Sequence, residues 1–243
     1  MKLTIIAPVY GFAADMNAGS AAFLRPYLHP DTELEFLSLE QGFPSVECEL
    51  HAAFNAPEVV RTAKAAWERG SDGIFVNCFD DPGVFACREL LPIPVLGGYQ
   101  AAMSTARLLA DRWAVITTDQ TGVLSEERKA RAWDFRPAAI RSVEMGVLAL
   151  CEDHTALLDR LETACRTLWD EKRIGAVVLG CTCMYTVATE LQRRLRESGC
   201  PMTVVEPFLT GVTRLENLMR LGCSNHVSGA ALALDKLKWY ERI

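Results

Sequence analysis

Two stretches carry the reading of the fold: Asp72-Gly-Ile-Phe-Val-Asn-Cys78 and Gly175-Ala-Val-Val-Leu-Gly-Cys181. Each is a short apolar run bounded by turn residues, the pattern of a strand buried on both faces of a parallel sheet. Each ends on a cysteine, where a helix should begin. Ligands of open α/β sheets bind just outside the carboxyl ends of the strands. Two thiols delivered there by two equivalent units suggest a pair of opposed acid/base groups.

The same alternation extends along the chain. Apolar runs at 2–7, 33–39, 73–77, 94–96, 113–117, 140–145, 176–180 and 202–205 predict strands. Helical patterns between them include 57–69, 125–134 and 153–171, with Pro57 in a first helical turn and Gly70 as a C-terminal stop. Strand–helix alternation with short connections predicts an α/β protein with parallel sheets flanked by helices. After Cys78 come a helix start at Asp81-Pro82-Gly83, a helix to about residue 91 and a strand. After Cys181 come a helix over 184–198 and the strand 202–205. The repeat predicts two pseudo-symmetric α/β domains of about 100 residues, an ordinary domain size, with the active site in the cleft between them. The first would span 1–97 and the second 98–207. Two final helices, 208–221 and 225–239, would pack back to complete the first domain.

Composition narrows the function. The 243 residues are half hydrophobic and 23% charged, as in a packed globular protein, and the net charge of -6 argues against a nucleic-acid surface. No run approaches the roughly 20 apolar residues that cross a bilayer, so no membrane partner is expected and the cytoplasm is the expected location. The nine cysteines are odd in number. Without an export signal they read as reduced thiols rather than a disulfide scaffold, most of them small buried hydrophobes such as Cys87 and Cys165. Neither a Walker motif nor Gly-x-Gly-x-x-Gly is present, and no zinc-type ligand spacing occurs. Neither a cofactor nor a metal is expected, and the partner is a small-molecule substrate.

A thiolate is the useful base, and a helix N-terminus favours it through unpaired N–H groups and the macrodipole. Asp81 could cap the helix after Cys78, with Pro82 at its first position, and Thr182 could begin the helix after Cys181. Two cysteines facing each other across a cleft could invert a carbon centre: one removes a proton and the other delivers one to the opposite face.

These residues resemble the aspartate/glutamate/hydantoin racemase superfamily, most closely its hydantoin/allantoin racemase branch. Asn77-Cys-Phe-Asp-Asp-Pro-Gly83 is similar to that branch's Ala-Cys-Phe-(Gly/Asp)-Asp-Pro-Gly signature, and Leu179-Gly-Cys-Thr-Cys-Met184 resembles its Leu-Gly-Cys-Ala-Gly-Met segment. Ala101-Ala-Met103 and Ser45-Val-Glu47 also match. The resemblance implies catalytic Cys78 and Cys181. It also implies a substrate lined by Tyr10, Asn77, Phe79, Asp80, Thr117, Thr118, Thr182 and Cys183, cofactor-independent racemisation of a 5-substituted hydantoin or allantoin, and a homo-oligomer. Departures fall at pocket-shaping positions: Ala7-Pro-Val-Tyr10 stands for Asn-Pro-Asn-Thr, Gln100 for a glutamate, Cys183 for a glycine and Glu206-Pro207 for Asp-Gly.

Other readings stay open at this level. The fold also accommodates racemisation of aspartate or glutamate, or a cysteine-dependent maleate-type isomerisation. A non-catalytic small-molecule-binding or redox-sensing protein could use Cys181 and Cys183. For Cys183 itself, packing or pocket lining is the simpler role. Asp80 and Asp81 read as turn or capping residues, Arg193, Arg194 and Arg196 as a solvated helix face, and His29, His51, His154 and His226 as surface or turn residues.

Overall fold

The computed structural model describes residues 1–11 and 14–226. Strands β1 (Lys2–Tyr10), β2 (Glu33–Leu39), β3 (Gly73–Val76) and β4 (Val95–Gly97) form a parallel sheet in the order β2-β1-β3-β4. Strands β5 (Trp113–Thr117), β6 (Ala139–Ser142), β7 (Ala176–Leu179) and β8 (Thr203–Val205) form a second, in the order β6-β5-β7-β8. The orders are identical once the numbering is shifted by four, so β3 and β7, the two strands that lead to cysteines, are equivalent. All eight predicted strands are present. β1 runs on to Tyr10, past the expected end at residue 7, because its register shifts between Ala7 and Tyr10 and the Tyr10 N–H pairs with the Phe43 carbonyl at 3.0 Å.

The helices are α1 (Ala14–Leu24), α2 (Glu49–Glu68), α3 (Val84–Leu90), α4 (Gly98–Leu109), α5 (Gln120–Ala132), α6 (Val147–Glu152), α7 (His154–Lys172), α8 (Tyr185–Glu197) and α9 (Pro207–Arg220). Side chains that alternate along the strands feed opposite layers. In the first sheet Ile6, Ile74 and Val76 meet Val59, Ala63 and Val84 of α2 and α3, while Leu3, Ile5 and Phe75 meet Leu24 and, from α9, Phe208, Val212 and Leu215. In the second, Ile116, Val177 and Leu179 meet α7 and α8, and Val115, Ala176 and Val178 meet Ala102, Met103 and Ala106 of α4. Each such buried large side chain contributes about 1.5–3 kcal/mol. The helix after the fourth strand of each sheet crosses over: α4 packs on β7 and β8, α9 on β3 and β4, and the two helices pack on each other. The helix expected over 225–239 lies largely outside the described residues.

Two local expectations are corrected. α2 begins at Glu49, so Pro57 sits inside the helix rather than in its first turn. Proline there removes one N–H from the ladder. Just before it, buried Asn55 donates to the Pro8 carbonyl at 2.8 Å and accepts from the Phe43 N–H at 2.9 Å, tying the end of β1 to the 43–48 loop. Asp81 does not cap α3, whose N-cap is left-handed Gly83. Its carboxylate accepts from the N–H groups of Tyr99 at 3.0 Å and Gln100 at 3.4 Å, and so caps α4. A Cβ on Gly97 would stand 2.1 Å from that carboxylate, so only glycine fits beside it.

Candidate active site

Both cysteine segments leave the sheet in the same way. The Asn77 N–H continues the ladder to the Ile6 carbonyl at 2.8 Å, as the Gly180 N–H does to Ile116 at 2.7 Å, and each cysteine follows directly. Gly180 is needed because a Cβ there would lie 2.8 Å from the Thr117 Cα. Thr182 Oγ1 donates to the Asn77 carbonyl at 3.2 Å, joining the two turns across the molecule. That bond, and a 3₁₀ turn over Thr182–Met184 before α8, replace the capping role expected of Thr182.

A cavity of about 730 Å³ opens at these strand ends. Cys78 and Cys181 both line it, and so do Tyr10, Asn77, Phe79, Asp80, Thr117, Thr118, Thr182 and Cys183. The structure therefore brings all ten predicted site residues to one cavity. Its lining among the described residues includes no Lys or Arg, but holds the carboxyl groups of Glu47, Asp80, Glu126 and Glu152.

The surroundings of Cys78 reverse the helix-terminus expectation for its thiol. Burial pushes the thiol well up, and the Asp80 carboxylate adds to this, outweighing the Asp80 N–H that donates to Sγ at 3.4 Å. Behind it lies a buried charged group. Lys129 Nζ donates to Asp80 Oδ1 at 2.7 Å and to the Phe79 carbonyl at 3.0 Å, and contacts Glu126 Oε1 at 2.7 Å. The ammonium also lies 5.0 and 4.6 Å from the ring centroids of Phe79 and Tyr99, a stabilising cation–π placement. Burial alone would push Lys129 down, but Glu126 and Asp80 hold it up. Burial raises Glu126 to about 8 and Asp81 to about 6.

Cys181 is buried against the α7–α8 layer. Beside it the Cys183 thiol interacts with Cys151 of α6: that hydrogen bond favours the Cys183 thiolate, but the bond with Cys181 and burial outweigh it. The hydrogen bond with Cys183 and burial raise Cys151 in turn. All nine cysteines are free thiols.

Sequence reasoning missed the wall supplied by α5. Gly122, Ser125 and Glu126 line the cavity, at the i, i+3, i+4 spacing of one helix face. In sequence, 125–134 gives only a helical pattern with no motif that marks a site. His154 is exposed and lines the cavity, whereas His51 stacks on Phe43 at 4.3 Å and His226 Nδ1 pairs with the Arg88 carbonyl at 2.8 Å. Arg194 is more than solvated surface, since it bridges α8 to Asp159 and Glu162 of α7. Among the described residues no group of three or more His, Cys, Asp or Glu could hold a metal ion, and no helix is long and apolar enough to cross a membrane.

Matching parallel sheets, each presenting a thiol at the same strand end to a shared cavity, define a two-unit α/β protein with its site between the units. The chain belongs to the Asp/Glu/Hydantoin racemase family, whose profile matches residues 14–215. A hydantoin racemase from Rhizobium meliloti is 30% identical over 99% of this chain and 94% of its own length. Another, from Pseudomonas sp. (strain NS671), is 28% identical over 91% and 87%. Among solved structures, an allantoin racemase from Klebsiella pneumoniae superposes with a TM-score of 0.85 at 30% identity, covering 95% of this chain and 92% of that one. The protein is thus an isomerase of the racemase type.

Proposed function

We propose that this racemase inverts the stereocentre of a 5-substituted hydantoin or of allantoin by proton transfer between Cys78 and Cys181, without a cofactor. The observation that carries this reading is the arrival of the two thiols from equivalent strand ends in one cavity, with their turns joined by the Thr182–Asn77 hydrogen bond. One cysteine, as thiolate, takes the proton from the carbon beside the ring carbonyl. The electron pair moves onto that carbonyl as an enolate. The other cysteine, as thiol, returns a proton to the opposite face, and the two sulfurs end with their protonation states exchanged. The raised Cys78 thiol suits the proton-donor role in the resting enzyme.

The lining supports an uncharged, N–H-bearing ring over the free amino acids or maleate. A dicarboxylate would enter a wall with four carboxyl groups and, among its described residues, no Lys or Arg, at a high desolvation cost. Asn77 Oδ1, buried without a partner, offers an acceptor for a ring N–H. The nine free thiols fit a reducing compartment such as the cytoplasm. The test is to incubate single enantiomers of 5-benzylhydantoin and of allantoin with the protein in heavy water. Loss of optical rotation should accompany deuterium uptake at the stereocentre. Inertness of both compounds, with racemisation of aspartate or glutamate instead, would overturn the assignment.

A further inference from the structure

Glu126 is an unusual side chain in this cavity. Its side chain is 3% exposed, Oε1 faces Lys129 and Oε2 is buried without a partner. One ammonium serves two carboxyl groups here, Asp80 and Glu126, each 2.7 Å away. The Lys129 charge balances one of them, and the other carries a large desolvation penalty unless it holds a proton. Asp80 is 25% exposed and also accepts from Ser125 Oγ at 3.5 Å. It is the better anion, and Glu126 is the group left to be neutral. With Oε1 accepting from Lys129, the proton resides on Oε2.

We infer that Glu126 is a neutral carboxylic acid whose Oε2–H donates a hydrogen bond to a carbonyl oxygen of the bound substrate. This rests on the proposed reading of the substrate as a hydantoin-type ring, whose carbonyls need donors in a cavity that carries four carboxyl groups. A donor already in place and shielded from water stabilises negative charge developing on such an oxygen. The groups facing Glu126 are Lys129 on its own helix, Asp80 and Asp81 from the turn after β3, and Tyr99 from α4. Burial, with Asp80 and Asp81 adding to it, raises its titration to about 8, against the pull of Lys129.

The experiment compares wild type with E126Q and E126L, each verified as folded by circular dichroism. Infrared difference spectra of wild type minus E126Q at pH 7 should contain a protonated carboxyl C=O stretch that vanishes at alkaline pH. The subtraction removes the other raised acids, Asp81 and Glu206. In kinetics at pH 7 on 5-benzylhydantoin, E126L should lose about 100-fold in kcat/KM, the cost of an absent oxyanion donor. E126Q, whose amide still donates, should lose about fivefold. Wild-type activity should fall as pH rises through about 8, and E126Q should lack that limb. Replacing one of the two ring carbonyls by a thiocarbonyl should impair wild type more than E126L, a contrast that a purely structural partner of Lys129 would not produce. Absence of the infrared band, or equal losses in E126Q and E126L, would overturn the inference. An inert wild type would instead overturn the substrate reading, with the infrared band still reporting on Glu126.

Discussion

The turn bearing Cys78 and the turn bearing Cys181 occupy the same position in equivalent sheets, yet their chemistry differs. Cys78 sits beside an ionic group, Asp80–Lys129–Glu126; burial and then the Asp80 carboxylate push its thiol up, against the pull of Lys129. Cys181 sits over an apolar layer and beside two further thiols, Cys183 and Cys151. The capping of the crossing helices differs as well. α9 is capped by Glu206, the residue before it, through the N–H groups of Phe208 at 2.6 Å and Leu209 at 2.7 Å, whereas α4 borrows Asp81 from a turn elsewhere in the chain. A duplicated backbone thus delivers two thiols symmetrically, and side chains that differ between the two turns and their surroundings make them unequal. An inverting enzyme needs the symmetry of position. It also needs one group protonated when the other is not.

The sharpest break of this comparison removes either thiol. C78S and C181S should each lose about 10²–10⁴-fold in racemisation, the usual contribution of a placed acid or base, measured by polarimetry. Each should retain some hydrogen wash-out from one enantiomer only, with opposite enantiomers for the two variants. Equal wash-out from both would show that the halves are not specialised. The next effect belongs to the ionic group. K129M leaves the partly exposed Asp80 carboxylate and the buried Glu126 without their shared cation and should cost about 3 kcal/mol of stability, read from urea unfolding, while exposed R193M stays near wild type.

The two borrowed and local caps give smaller effects. D81A and E206A should each cost about 1 kcal/mol. Both carboxyls are raised in the folded state, by burial first, so their stabilising contribution is complete at low pH and declines as pH rises. For Asp81 the decline runs from about 3.8 to about 6, and for Glu206 from about 4.5 to about 8. D81N should therefore flatten the lower window and E206Q the upper one in unfolding measured from pH 4 to 9. The smallest effect is on reactivity. D80N removes a carboxylate that raises Cys78, so iodoacetamide should label the Cys78 peptide several-fold faster at pH 8, and the Cys181 peptide at an unchanged rate.

The eight strands were legible because buried parallel strands are short apolar runs, and the two cysteines because they end such runs. The partners that distinguish the two turns were not. Glu126 and Lys129 stand in a charged stretch where their neighbours Glu127 and Arg128 are ordinary surface residues, and only the packing of α5 decides which of them turn inward. Asp81 read as a local cap because local caps are the common case. Its actual partners, Tyr99 and Gln100, become neighbours only once β4 pairs with β3. Pro57 read as a helix start for a similar reason, although the helix extends ahead of it.

The exchange of α4 and α9 between the sheets also bears on how the molecule comes apart. In chain order α4 follows the first sheet but covers the second, and α9 follows the second but covers the first. A break between Gly97 and Gly98 would strip α9 from the first sheet, leaving that face bare, and would leave α9 on the other fragment without the sheet it covers. Heating should accordingly melt both halves in a single transition. The distance between the two sulfurs is then a property of the whole fold, kept or lost together with it.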